Sequence, residues 1–371
     1  MRTQTKNFFK FLCFGLAFLI IFFAISDLFT VKSEEWSNFR GFYSEKRDSL
    51  DVVYLGGSVC ITSWMPYEAW HDSGITSYAF GRSSFMSFAY KPVIKEVLHY
   101  QKPQLLIIDA RPFVYSYLEG DPDEVYGTIA LINCLKSYSV ERVPLALKAY
   151  SIYNEKVKSS GEGGNETFAS MLFDIVRYHG NWTEFDTSYI PSFKSDLPQN
   201  YSKGFKAVQA YSKQGLNDNT GVNISTPVNS QAEADLIDLL DYLNDNEINA
   251  LFVVAPYNVD SNVKSQFNYI SNIIESRGYS FVDFNDLNAE MGIDGSTEFY
   301  DENHMNIFGA EKYTAYLTKY LLDNYNLKTD HSSKVESDWN NGYEIWTEQR
   351  ETLEQDVAGI IAEDNKQVGN G

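Results

Sequence analysis

Three side chains have the types and spacing of a nucleophile, a base and an orienting acid. Ser58 follows an apolar run and two glycines in Asp51-Val-Val-Tyr-Leu-Gly-Gly-Ser58-Val-Cys60. Asp301 and His304 stand three residues apart in Tyr300-Asp301-Glu302-Asn303-His304-Met305-Asn306. A serine attacks a carbonyl at neutral pH only when a base removes its proton and a third group holds that base in the right tautomer. One short turn can carry both of the latter, Asp301 accepting the Nδ1 proton while Nε2 stays free for Ser58. Of the five histidines, His71, His99, His179, His304 and His331, only His304 joins an acidic partner at turn spacing to a position beyond the last β-like run. The plainer alternative at Ser58 is a glycine turn with a serine helix cap.

The elements that must position these groups read as strands alternating with helices. Short β-like runs occur at Asp51–Leu55, Thr76–Phe80, Gln104–Asp109, Ile248–Ala255 and Tyr279–Phe284. Helical periodicity marks Ser84–Tyr100, Gln231–Asn244, Asn262–Arg277 and Ile307–Asn324. Runs as continuously apolar as LLIID and ALFVVA belong to a sheet covered on both faces, so the class is α/β with a parallel doubly wound sheet. In such sheets ligands sit at the carboxyl ends of strands, where Ser58 falls. The interval from Arg111 to about Ser230 breaks the alternation and is too long for a plain connection, so it reads as an inserted cap that carries specificity.

Within that frame Arg82 and Arg111 follow strand ends and could meet an anionic group, or form structural ion pairs. Arg177, His179 and Trp182 could line the cap; Trp64, Tyr67 and Trp70 could stack on a sugar but fit a core better. Asp121, Asp123 and Glu124 read as a solvated loop.

The chain has 371 residues and a formal net charge of -20, which disfavours nucleic acid as a partner. Its cysteines, Cys13, Cys60 and Cys134, have no metal-ligand spacing and make no disulfide framework. Residues 11–26 carry no charge and follow Arg2, Lys6 and Lys10, so residues 1–32 read as a cytoplasmic start and a transmembrane anchor. A cleaved signal peptide is the competing reading; no Ala-x-Ala site follows the apolar core. Residues 33–50 read as a membrane-proximal spacer, 51–326 as the globular domain with its insertion at 111–230, and 327–371 as a peripheral acidic appendage with a helix near Ser337–Glu363.

The blocks Gly56-Gly57-Ser58 and Asp301-Glu-Asn-His304-Met-Asn306-Ile-Phe-Gly309-Ala310 resemble those of the SGNH (GDSL-like) hydrolase superfamily over roughly residues 50–326. With the anchor and the insertion, the resemblance narrows to an envelope-facing branch that includes the D-alanyl transfer protein of teichoic acid modification and the alginate O-acetylation proteins. It implies a three-layer, flavodoxin-like fold with Ser58 as nucleophile, His304 as base and then acid, and Asp301 as orienting carboxylate. It also implies an oxyanion hole built from the Ser58 N–H, Gly81 and a third donor, for which this chain has Ala110-Arg111-Pro112 where an asparagine is usual. The implied activity is a serine esterase or O-acyltransferase acting on acetyl or D-alanyl groups of a cell-envelope glycopolymer, without a cofactor and partnered by a multi-span membrane acyltransferase. An ordinary α/β-hydrolase fits less well, because Cys60 stands where its nucleophile elbow needs a second glycine. The reading from another class is a non-catalytic envelope protein that binds glycan or partner and keeps a relic triad.

Overall fold

The computed structural model describes residues 2–117, 123–157, 165–180 and 202–369. In chain order the first half comprises α1 (Arg2–Phe29), α2 (Glu34–Ser44), β1 (Val52–Gly56), α3 (Ser58–Ser63), α4 (Pro66–Ser73), β2 (Ser77–Gly81), α5 (Tyr90–Tyr100) and β3 (Leu105–Asp109). The insertion contributes α6 (Pro112–Tyr115), α7 (Asp123–Cys134), α8 (Arg142–Ile152), α9 (Phe168–Leu172) and α10 (Asp174–Tyr178). The chain then continues through α11 (Ser230–Asp245), β4 (Ala250–Val254), α12 (Ser261–Ser276), β5 (Ser280–Asp283), α13 (Asn288–Met291), α14 (Ile307–Asn324) and α15 (Ser333–Gly369).

The five strands pair in parallel in the order β2-β1-β3-β4-β5. Every residue of β1, β2, β3 and β4 is buried, which is why these runs lack polar alternation. The two faces feed separate cores. Val53, Leu55, Phe80, Ile108, Phe252 and Val254 pack under α2, α5, α11 and α12, while Val52, Tyr54, Ile107, Leu251 and Val253 pack under α3 and α14. The order reverses at β1 and β3, so a crevice opens at their carboxyl ends.

Three expectations change. Residues 33–50 are no spacer: Ser33 caps α2 by accepting the Trp36 N–H, and Phe39 and Phe42 lie fully buried with ring centroids 4.2 and 4.3 Å from Phe80. Burying two such rings contributes roughly 2–3 kcal/mol each, so the segment belongs to the domain. Its polar composition hid a helix whose apolar residues share one face at three-residue spacing.

The terminal segment is likewise no loose appendage. Trp339, Trp346 and Val357 of α15 are buried, Trp346 donates to Glu68 Oε1 at 2.7 Å, and Trp70 donates to Asn340 Oδ1 at 2.9 Å. Arg350 joins Glu68 of α4, Glu311 of α14 and Glu354 at 2.9, 3.5 and 3.2 Å. Trp64, Tyr67 and Trp70 are therefore core residues, as their apolar bulk suggested.

Of the insertion, α7–α10 pack on α1, α2, α5 and each other rather than standing over Ser58. Glu124 is not part of a solvated loop; it is buried on α7 and paired with Lys156. Asp121, Trp182 and the glycine-rich stretch 161–164 lie outside the described residues. From Phe205 to Asn229 the chain forms no regular helix or strand, and through Lys206, Ser212 and Gln214 it bonds to Ile61 O of α3, Phe299 O and Gly295 O. Helix α1 is long and apolar enough, with mean hydropathy 2.6 over its most apolar 18 residues within Thr5–Phe29, to cross a membrane.

Candidate active site

Ser58 opens α3 immediately after β1, with Gly57 as the extended residue before it. The first glycine of the pair is required by its neighbour across the sheet: a Cβ on Gly56 would lie 2.5 Å from Asp109 Cβ. Asp109, at the end of β3, is fully buried and accepts N–H bonds from Gly57 and from Arg111, the latter at 3.1 Å. Burial pushes its carboxyl up from the usual aspartate range, and the Arg111 guanidinium and the two N–H bonds pull back down. A buried acid thus lies beneath the serine turn and orients its backbone. Sequence reading missed this role because Asp109 looked like the end of a strand.

The base arrives on a loop before α14. An antiparallel bridge pairs Phe299 with Met305, and the Tyr300 N–H donates to His304 O at 3.1 Å, so residues 300–304 form a closed turn. Asn306 explains the remainder of that block. Its Oδ1 caps α14 by accepting the Phe308 N–H at 3.1 Å, and its Nδ2 donates to Thr297 O at 2.8 Å. Gly309 must be glycine because a Cβ there would stand 2.5 Å from Glu298 O. The motif is therefore a clamp that fixes the start of α14 against the strand-like arm leading into the turn.

The three groups converge. Ser58 Oγ lies 2.6 Å from His304 Nε2, and His304 Nδ1 lies 2.8 and 2.9 Å from the two oxygens of Asp301. Asp301 Oδ1 also accepts the Asn303 N–H at 2.8 Å, which pins the carboxylate. Since an aspartate can only accept from Nδ1, Nε2 is left to accept the Ser58 hydroxyl proton. The Tyr300 ring stacks on the imidazole at 5.1 Å and 4°. Burial lowers the His304 pKa below the ordinary histidine value; Asp301 opposes this, and the charges of Arg111 and Lys206 lower it further. The neutral base form is therefore favoured at neutral pH, and the arrangement can take the serine proton as Oγ attacks an electrophilic carbon.

The four peripheral candidates divide. Arg111 lies beside the triad, but its guanidinium donates to Asn303 O at 3.2 Å and to Asn303 Oδ1 at 3.1 Å, and its carbon sits 3.9 Å above the Tyr257 ring. It props the Asp301–His304 turn. Arg82 is not a site residue: it is buried, with Nη1 donating to Gly127 O at 2.6 Å and Nη2 to Glu35 Oε2 at 2.8 Å. His179 lies apart from the triad: it is exposed after α10, with Nδ1 2.9 Å from Val176 O, and α10 packs on α1. Arg177 pairs with Glu166. Gly81 sits at the register position opposite Gly56, where a Cβ would collide with the Gly56 carbonyl, so its glycine has a packing reason independent of any donor role.

Lys206 is the cation that sequence reading overlooked. Its N–H donates to Ile61 O at 2.6 Å, its ammonium pairs with Glu34 at 2.9 Å, and its charge is felt at His304. Farther along the same segment, Ser212 N–H donates to Phe299 O at 2.9 Å and Gln214 N–H to Gly295 O at 2.7 Å, tying the insertion to the arm of the histidine turn. No motif signals this contact, because it joins segments distant in sequence.

Cys60 and Cys134 are free and buried, and no cluster of metal-ligating side chains occurs among the described residues. Comparison with protein-family models and with curated protein sequences finds no match, so the chemistry of the site rests on its own geometry.

Proposed function

We propose that the protein is a membrane-anchored serine esterase or O-acyltransferase of SGNH type, with its domain outside the membrane. The observation that carries this is the unbroken chain Ser58 Oγ, His304 Nε2, His304 Nδ1, Asp301, at 2.6 and 2.8 Å, with the base favoured neutral. The doubly wound strand order, with Ser58 at its reversal point, supports the flavodoxin-like form of that superfamily. Arg2, Lys6 and Lys10, in α1 ahead of its apolar run, support an amino terminus in the cytoplasm.

In the first half-reaction Ser58 Oγ bonds to the acyl carbon while its proton passes to His304 Nε2. The tetrahedral adduct then expels its leaving oxygen or sulfur, which takes that proton from His304. In the second half, water or a glycopolymer hydroxyl gives its proton to His304 and attacks the acyl-serine, and Ser58 leaves with the proton returned. Asp301 holds the imidazole for both transfers and stabilises its charged form. The acyl group proposed is acetyl or D-alanyl, the polymer a cell-envelope glycopolymer, and the partner a multi-span acyltransferase that delivers the acyl group. No cofactor takes part in these steps.

The test is the intact mass of the full chain in detergent after exposure to a fluorophosphonate, with Ser58→Ala and His304→Ala alongside. One adduct on the wild type, absent from both variants, is expected. A folded wild-type protein that takes no adduct would instead favour the non-catalytic glycan- or partner-binding reading, in which Arg111 serves only to hold the turn.

A further inference from the structure

The insertion reaches α1 below the point where that helix would leave a bilayer. Taking Lys10 at the inner edge, a hydrocarbon layer of roughly 30 Å at about 1.5 Å per residue places the outer edge near Thr30. Phe22 and Phe23 then lie roughly 10 Å inside it. Yet Phe173, just before α10, packs edge-on against Phe22 at 5.4 Å, and Ser137 Oγ donates to Phe23 O at 3.2 Å. The Ile175 N–H donates to Ser26 Oγ at 3.3 Å, and Thr30 Oγ1 donates to Asp174 Oδ2 at 2.5 Å. At its end α1 is half-buried at Phe22 and Phe23, and from Ser26 to Thr30 every residue is half-buried or buried.

The surface around those contacts is apolar. Val140 is 74% exposed, Tyr138 54% and Val143 41%, and Leu147 follows one turn after Val143 at 55%. Of the nearby charges, Glu141 is half-exposed and its carboxyl is pushed up by burial, while the others are shielded or paired. Arg142 and Asp174 form an ion pair with both side chains 1% exposed, and the Lys136 ammonium lies 4.5 Å from the rings of Tyr43 and Tyr100 and 5.8 Å from that of Tyr138. A lysine stem among tyrosines beside bare aliphatic side chains suits a headgroup boundary.

The path from α1 to the nucleophile is short. Glu35, in the first turn of α2, accepts the Ser83 N–H at 2.9 Å just beyond β2, and Glu34 pairs with Lys206, whose N–H bonds Ile61 O in the helix that Ser58 opens. Lys136 and Ser139, by contrast, meet Tyr43, Tyr100 and Glu96 at the other end, where Tyr100 O accepts the Asp48 N–H and Gln101 Oε1 accepts the Ser49 N–H just before β1. Helix α1 therefore ends beside the carboxyl ends of the strands and runs back along α2, through the Asp27–Arg40 pair, past their amino ends toward the bilayer.

We infer that the corner formed by residues 137–147 and the start of α10 is seated in the outer-leaflet interface beside α1, leaving the amino end of the sheet toward the bilayer and the crevice at Ser58 facing away from it. The inference rests on α1 spanning the membrane. It fixes the orientation of the domain, which a flexible tether would leave free.

The test uses the full chain in phospholipid nanodiscs, with Cys13→Ser removing the one exposed thiol and spin labels placed singly through Phe18→Cys, Val140→Cys and Ser261→Cys. Phe18 reports the anchor, and Ser261, exposed at the start of α12, lies past β4 at the carboxyl end of the sheet. Collisions with oxygen should exceed those with a water-soluble nickel chelate at Phe18 and Val140, and the ratio should reverse at Ser261. A Val140 label as open to nickel as Ser261, with Phe18 still in lipid, overturns the seating but leaves the anchor standing. Nickel access at Phe18 overturns the anchor and the seating together. A Val140 label shielded from both reagents means protein, a partner or second copy, covers the corner in place of lipid.

Discussion

Replacing Arg111 by methionine separates the propping of the histidine turn from its electrostatics. The side chain contributes two charge-assisted hydrogen bonds to Asn303 and a cation–π contact with Tyr257 at 3.9 Å. Hydrogen bonds to charged groups are worth roughly 1.5–3 kcal/mol, and methionine keeps much of the packing, so a net loss of about 3 kcal/mol is expected. Misplacing a reacting group by about 1 Å can cost roughly 10²-fold in rate, so fluorophosphonate labelling should slow by that order. The pH profile gives a second, independent sign. The Arg111 charge opposes protonation of His304, so its removal lets the imidazolium persist to higher pH, and the acid limb of the labelling rate should move upward. Arg111→Lys keeps the charge but loses the fork, and should slow labelling with little movement of that limb. Thermal unfolding and labelling rates from pH 4.5 to 8 measure all three. A methionine variant with unchanged rate and melting temperature would refute the propping role; an acid limb that stays or moves down would refute the electrostatic one.

Other perturbations carry equally definite outcomes. Asp301→Asn should keep the fold and lower turnover by about 10⁴-fold, because the amide can present its N–H to Nδ1 and leave the base in the wrong tautomer; burst and steady-state ester hydrolysis would show it. Gly309→Ala sets a Cβ 2.5 Å from Glu298 O, so the arm before the histidine turn must shift, with a loss of roughly 2 kcal/mol in urea unfolding and slower labelling. Removal of residues 333–371 strips Trp339 and Trp346 from α4 and exposes Tyr67 and Trp70; the shortened protein should lose several kcal/mol and aggregate, as light scattering on heating would report.

What could be read directly from the chain was what short-range chemistry writes into it. The apolar runs at 52–56, 105–109 and 250–254 announce buried parallel strands because both of their faces are covered, and the Asp301-x-x-His304 spacing announces its own hydrogen bond because three residues make one turn. The capped start of α14 at Asn306 belongs to the same class. Residue type and spacing also singled out Ser58, although nothing within its own stretch distinguishes a nucleophile from a helix cap. Only tertiary structure brings His304 Nε2 to 2.6 Å from its hydroxyl across most of the domain, the contact on which the proposed nucleophile rests. Folding also sent two arginines with the same sequence position, each just past a strand end, to different work. Arg82 found Glu35 on a helix read as a spacer, and Arg111 found the turn that carries the base. A long cation pairs with whatever acceptor the packing of remote elements leaves within reach, and no local pattern encodes which one that is. The same holds for α2 and α15, whose amphipathic stripes are diluted by charge and acquire meaning only against the sheet and α4 that they cover.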